Sequence, residues 1–249
     1  MDFDTIEIKN DKGTSTGFLL VTVYSDSNIR IWYYNYEENS FKLFIDGFYQ
    51  TCCILNVRLI NLQNNLYVMI GSTNGHVAIY DITSNIKRYF EIHSDHLIAE
   101  NLNFEKEKLT NLIANQQLHQ SAIKSFDIRH INESSIQLIT GGDDNALILS
   151  SISKNDADTQ SLHFTVNAFE KDAASATITS VNFIDDDESV FATSVDQSLK
   201  VWSVQNGKLH LLRSEYTTVA DTGCSTVTKF ADGTTLALVG GSGFSAWRL

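Results

Sequence analysis

The 249-residue chain contains no proline, where about 5% is usual. With its frequent Asn, Ser and Ile, this absence in a loop-rich sequence reads as a compositional bias of the source and carries no functional conclusion. Cysteine is nearly missing too. Cys52, Cys53 and Cys224 form no CxxC pair and no even-numbered framework, which excludes a disulfide scaffold and points to reduced thiols in a cytosolic or nuclear protein. Neighbours on a strand face opposite sides, so Cys52 and Cys53 cannot both be core. No structural zinc is expected, because such a site wants four converging ligands. No apolar run approaches the ~18 residues of a membrane helix. The best, Gly17 to Tyr24, is of strand length. The start, Met1-Asp2-Phe3-Asp4, is acidic and lacks the cationic and apolar stretches of a secretory signal.

Positive charge is also in short supply. Eighteen Lys and Arg face thirty Asp and Glu, giving a net charge of −12 and a pI near 4.9. A domain that grips a nucleic-acid backbone by itself is usually basic. The balance therefore argues against this chain as the main RNA or DNA clamp, a local basic patch aside. What the chain does have is 43% hydrophobic residues, enough for a packed core, in a length ordinary for one all-β domain.

It also has a repeat. Five segments place a tight polar turn before a short apolar strand that ends on or near an aromatic residue. They read Asp26-Ser27-Asn28-Ile29-Arg30-Ile31-Trp32, Asn74-Gly75-His76-Val77-Ala78-Ile79-Tyr80, Asp144-Asn145-Ala146-Leu147-Ile148-Leu149-Ser150, Asp196-Gln197-Ser198-Leu199-Lys200-Val201-Trp202 and Gly241-Ser242-Gly243-Phe244-Ser245-Ala246-Trp247. From Trp32 to Tyr80 is 48 residues, on to Ser150 is 70, to Trp202 is 52 and to Trp247 is 45. This is the mark of WD repeats, each unit one four-stranded propeller blade of roughly 40–45 residues. The expected fold is all-β, a WD-repeat propeller of about five blades.

The spacing predicts blade one over about 5–48, with strands Thr5–Asn10, Gly17–Tyr24, Asn28–Tyr34 and Phe41–Phe48. Blade two, about 54–92, reads Ile54–Leu62, Leu66–Gly71, Val77–Ile82 and Lys87–Ile92. An insert over about 96–117 reads as an amphipathic helix, with Ile98, Leu102, Leu109, Leu112 and Ile113 on one face. Such a helix covers its own blade or docks a partner. Blade three, about 118–168, reads Ala122–Ile131, Ile136–Thr140, Ala146–Ile152 and Leu162–Ala168. Blade four, about 178–214, reads Ile178–Ile184, Val190–Ser194, Leu199–Val204 and Lys208–Ser214. Blade five, about 219–249, has Ser225–Ala231, Thr235–Val239 and Phe244–Leu249 and lacks a fourth strand. Open sheet edges are a liability. The missing strand and low blade count point to the C-terminal part of a longer propeller chain; a compact five-bladed ring is the alternative. Trp32, Tyr80, Trp202 and Trp247 are expected between neighbouring sheets.

Nothing here has the pattern of a catalytic site. Asp26, Asp144 and Asp196 are expected to accept backbone N–H bonds within their turns, as Asx side chains do. Asn74 can do the same and Gly241 cannot. Asp185-Asp186-Asp187-Glu188 lacks the alternating ligands and glycine bend of a calcium loop. Gly240-Gly241-Ser242-Gly243 lacks the Lys-Ser/Thr and helix of a phosphate loop and reads as a turn. No Gly-x-Ser-x-Gly, His-Glu-x-x-His or Cys/His pairing occurs. His119, just before a first strand, is placed to bond Thr140 and Asp144, although Ser150 stands where that blade's Trp should be.

Four runs in the second half are more specific: Leu118-His119-Gln120-Ser121-Ala122-Ile123, Ala192-Thr193-Ser194-Val195-Asp196-Gln197-Ser198-Leu199 with Trp202, Val219-Ala220-Asp221-Thr222-Gly223-Cys224, and Gly240-Gly241-Ser242-Gly243 followed by Trp247. In this order they resemble the C-terminal propeller of a family of large WD-repeat proteins. Those proteins are the non-catalytic partner of an FtsJ-like ribose methyltransferase that modifies the wobble nucleotide of certain tRNAs. The resemblance covers about 118–249; the first half matches only as ordinary blades. It implies a cytoplasmic positioning subunit without its own cofactor, S-adenosylmethionine and the chemistry being the enzyme's, with tRNA met through the complex. A generic WD-repeat interaction scaffold, for example in endosomal recycling, is the alternative.

Overall fold

The computed structural model describes residues 2–9, 13–50, 52–94 (side chains of 90–94 excepted), 106–154, 161–184 and 188–249. The first part of the expected insert, 96–105, and the run Asp185-Asp186-Asp187 lie outside the described residues. The chain divides into two compact units, Met1–Ser72 with Val77–Gln116, and Thr73–His76 with Gln117–Leu249.

In the first unit, β1 (Asp2–Lys9), β2 (Ser15–Val23), β3 (Asn28–Asn35) and β4 (Ser40–Phe48) form an antiparallel sheet in chain order. Strict alternation builds it. Leu19, Val21, Ile29 and Ile31 are fully buried, while Leu20, Arg30 and Trp32 between them point to the opposite face and stay half-exposed. A second sheet follows from β5 (Ile54–Leu62), β6 (Asn65–Ser72) and β7 (His76–Asp81). One apolar cluster joins the two sheets, Val68, Ile70, Ala78 and Tyr80 meeting the buried face of the first.

The outer part of the second sheet departs from the sequence reading. Lys87–Ile92 is not a strand but part of helix α1 (Thr83–Ser94), and the strip read as helical contains β8 (Glu107–Lys108) and β9 (Leu112–Gln117). The helix starts where the Thr83 N–H donates to Asp81 Oδ1 at 2.8 Å and the Thr83 hydroxyl accepts the Leu66 N–H at 2.9 Å. Ile82, Ile86 and Tyr89, spaced by four and three, turn one helix face into the core. With the chain diverted, the edge of β7 is free, and β9 pairs there as the sheet's fourth strand. Leu109, Leu112 and Ile113 mimic helical spacing, but unpaired main-chain groups on a strand edge are satisfied by another strand. Segment β8 lies parallel to β4, Ile45 opposite Glu107.

The second unit holds a sheet of β10 (Ile123–Asn132), β11 (Ser135–Gly142), β12 (Leu147–Lys154) and β13 (Leu162–Glu170), then one of β14 (Ile178–Ile184), β15 (Ser189–Ser194), β16 (Ser198–Gln205) and β17 (Lys208–Tyr216). Its last sheet pairs β18 (Ala220–Lys229) with β19 (Thr235–Arg248). Fourteen extended residues would span roughly 45 Å, yet the Leu249 N–H donates to Thr235 O at 3.0 Å. The chain therefore reverses within β19, around Ser242, next to a left-handed Gly243 (φ +129°). The last sheet thus has three strand segments. No fourth segment pairs with it among the described residues. These blade-like antiparallel sheets are those of the expected class, an all-β propeller.

Successive sheets are tied at their first strands by a device that recurs in both units. Asp2 Oδ2 and Asp4 Oδ2 accept the N–H groups of Val57 and Leu59 at 3.0 and 2.7 Å. Ser125 Oγ and Asp127 Oδ2 accept those of Val181 and Phe183 at 3.1 and 2.8 Å. A blade's first strand has a sheet partner on one side only, so its other edge carries N–H groups that need acceptors. Two side chains of the preceding first strand, two residues apart, supply them.

Candidate functional site

The residues singled out in the sequence gather at the turns joining the second and third strands. Each turn needs one left-handed residue: Ser27 (φ +68°), Gly75 (+80°), Asn145 (+63°) and Gln197 (+65°). At Gly75 a Cβ would also stand 2.1 Å from His119 O, so this bend admits only glycine. The aspartates clamp the turns. Asp26 Oδ1 accepts the Asn28 N–H at 3.2 Å, Asp144 Oδ1 that of Ala146 at 3.2 Å, and Asp196 Oδ1 that of Ser198 at 2.8 Å. The bonds from Asn28 hold the Asp26 carboxyl below the usual carboxylate range. Asp144 and Asp196 also accept a second N–H on Oδ2, from Gln120 at 2.8 Å and Ser175 at 2.7 Å. Burial pushes both carboxyls up, but their hydrogen bonds outweigh it and hold them below the usual range.

The third sheet carries the fullest network. His119, 1% exposed, sets Nδ1 2.8 Å from Asp144 Oδ1 and Nε2 2.8 Å from Thr140 Oγ1. A carboxylate only accepts, so Nδ1 carries the proton and Nε2 accepts the threonine O–H. Burial pulls the imidazole pKa down, against the upward effect of Asp144. A Cβ on Gly142 would lie 2.6 Å from Nδ1, so glycine there makes room for the ring. Ser150, fully buried in the tryptophan position, has a hydroxyl without a hydrogen-bond partner.

The first sheet has the other half of this arrangement. Trp32 Nε1 donates to Thr22 Oγ1 at 3.4 Å, and Thr22 precedes Asp26 by four residues, as Thr140 precedes Asp144. In the fourth sheet Ala192 and Ala174 stand where the threonine and histidine would. Trp202, 5% exposed between the third and fourth sheets, accordingly leaves its buried Nε1 without an acceptor. Tyr80 packs into the core shared with the first sheet, where burial pushes its hydroxyl up to about 12. Trp247 lies against the fourth sheet and donates from Nε1 to Ser245 Oγ at 2.8 Å. Trp32 stands half-exposed on the face of the first sheet opposite its buried cluster. Asn74 sits in the second sheet's turn, its carbonyl 3.1 Å from His76 Nδ1.

Sequence reasoning missed a polar cavity of about 410 Å³ along the first strands of the second unit, lined by Asp127, Arg129, His130, Asn182 and Thr226 among others. Asp127 spends both oxygens on the N–H groups of Ile128 and Phe183, at 2.9 and 2.8 Å. The Arg129 guanidinium lies 4.8 Å over the Phe183 ring and donates to Gln137 at 2.6 Å. These groups hold strands together and form no nucleophile–base pair. Among the described residues no three His, Cys, Asp or Glu converge as a metal site, and no helix is long and apolar enough to cross a membrane. Cys52 and Cys53 are half-exposed and Cys224 is exposed, all free.

Comparison with known proteins supports the fold. Residues 166–203 match the family described as WD domain, G-beta repeat. This span runs from the outer strand of the third sheet to the third strand of the fourth. No curated protein matches the chain. The solved structure titled "Structure of U3-55K" is similar with a TM-score of 0.54 at 16% identity, over 93% of this chain. The chain spans 61% of the length of that structure.

Proposed function

We propose that this chain is a non-catalytic WD-repeat scaffold that partners an FtsJ-like methyltransferase and positions tRNA for ribose 2'-O-methylation of the wobble nucleotide in the cytoplasm. The observation that carries the reading is the ordered set of four runs between Leu118 and Trp247. Val-Ala-Asp where a first strand begins (Val219 to Asp221) and Asp-Gln in a turn are demanded by no propeller rule. The geometry agrees with a structural role for these residues, since His119, Asp144 and Asp196 spend their polar atoms on turns. Such a subunit would act by orientation, bringing one ribose to the enzyme's site without altering that site.

Mass spectrometry of tRNA nucleosides from cells lacking the gene tests this. Wobble ribose methylation should be lost, while ribose methylations the same enzyme makes elsewhere remain. Unchanged wobble methylation would end the tRNA reading. Affinity purification from wild-type cells should recover an FtsJ-like methyltransferase; recovery of membrane-traffic proteins alone would favour the generic scaffold.

A further inference from the structure

Two side chains, His119 and Thr140, brace the turn of the third sheet, and the first sheet offers one counterpart, Thr22, to its tryptophan. The fourth sheet has neither. Ala192 stands four residues before Asp196, as Thr22 does before Asp26, and Trp202 stands six after it, as Trp32 does after Asp26. The strand pairing matches as well. Thr22 lies opposite Arg30 and Ala192 opposite Lys200, in each case two residues before the tryptophan. The shared register directs the Trp202 indole towards the position that holds the Thr22 hydroxyl in the first sheet, and the residue at that position is an alanine.

A small cavity lies there. It measures about 10 Å³ and is lined by Trp202, Ala192, Ala174, Ser198 and Lys200 among others, so both alanines that replace the bracing side chains border it. Apart from Lys200 these residues are buried. Space of this size holds one water molecule and nothing larger. The buried Trp202 Nε1 has no acceptor among the described residues. Such a donor gives up its hydrogen bond to solvent on folding, and one trapped water restores the bond at a small entropic cost. A buried water also needs further polar partners. Ser198 and Lys200, bordering the same space, bring a hydroxyl and an ammonium.

We propose that this cavity is a binding site for a single buried water, which accepts the hydrogen bond of Trp202 Nε1 where the first sheet uses the Thr22 hydroxyl. The fourth sheet thereby keeps its tryptophan tied to the strand beside it, with a solvent molecule doing the work of a side chain. The site lies within one sheet and its own turn. It is independent of the tRNA reading, since it rests on packing and not on the family resemblance.

Two substitutions of nearly equal shape test the site in the full-length chain. Ala192→Thr fills the cavity and sets a hydroxyl beside the indole. Ala192→Val fills it equally, expels the water and offers no acceptor. The threonine variant should melt close to the wild type, and the valine variant clearly below both. By NMR of the indole-labelled wild type, the Trp202 N–H, assigned by its loss in Trp202→Phe, should show a dipolar cross-peak to water with the sign of a long-lived contact. That peak should vanish in Ala192→Val. A high-resolution crystal structure of the wild type should place one water about 3 Å from Nε1. Equal melting of the threonine and valine variants, no long-lived water contact at the indole, or an empty cavity in the crystal would each overturn the proposal. Should neither variant fold, the two wild-type measurements still decide it.

Discussion

His119, Thr140 and Asp144 divide the requirements of one buried turn between them. The carboxylate holds the turn through Ala146 and the entering strand through Gln120, and the imidazole bridges it to the hydroxyl. The cost is a buried imidazole that must stay neutral. Burial lowers its pKa below the ordinary value of about 6.5. The unfolded chain therefore binds this proton more readily than the folded one, and the stability contributed is complete above the ordinary value. It is lost as pH falls from about 6.5 towards the folded-state value. Asp144, whose pKa is also lowered, adds a loss only at more acid pH, below the ordinary carboxylate range. Melting temperatures measured from neutral to mildly acid pH should fall more steeply for the wild type than for His119→Gln. Parallel curves would show that the imidazole is free to protonate in the folded state.

At the scale of elements, what was legible was what repeats locally. The turn residues and the alternation of β2, β3, β15 and β16 specify their hairpins within short local stretches, Ser15 to Asn35 and Ser189 to Gln205, and the strands stand where the pattern puts them. The outer part of the second sheet was not legible, because the position of β9 depends on an edge that α1 vacates thirty residues earlier. Spacing of Ile82, Ile86 and Tyr89 was the available signal for that helix. The ties between first strands were equally hidden: donor and acceptor are 55 or 56 residues apart, and nothing local marks Asp127 as different from a solvated strand residue. That tie makes a prediction. Asp127→Ala leaves the Phe183 N–H without its acceptor and should destabilise by about 1–3 kcal/mol, with faster hydrogen exchange at Phe183. Asp127→Asn keeps one accepting oxygen and should retain most of the protection. Equal denaturation midpoints and exchange rates for Asp127→Ala and wild type would show that water replaces the carboxylate.

For the whole molecule, charge decides which partner it can hold unaided. Several cations that could touch phosphate are paired at the surface with the chain's own carboxylates: Arg30 and Lys106 with Asp46, Arg58 with Asp2, Lys124 with Asp143 and Arg213 with Glu215. The remaining balance is −12. Phosphate binding gains its free energy from counterions released by free Lys and Arg, so a chain that spends its cations this way gains little from tRNA. A basic enzyme surface gains from the same acidic field. The expected behaviour is therefore asymmetric. Alone, at an ionic strength of about 0.15 M, where charges are screened beyond ~8 Å, the chain should not retard tRNA in a gel at micromolar concentration. With an FtsJ-like methyltransferase added, tRNA should be retained in a complex containing both proteins, and the protein–protein association should weaken as salt rises. Tight tRNA binding by the chain alone, abolished by salt, would mean that a basic patch outweighs the net charge, and would move the RNA contact from the enzyme to this subunit.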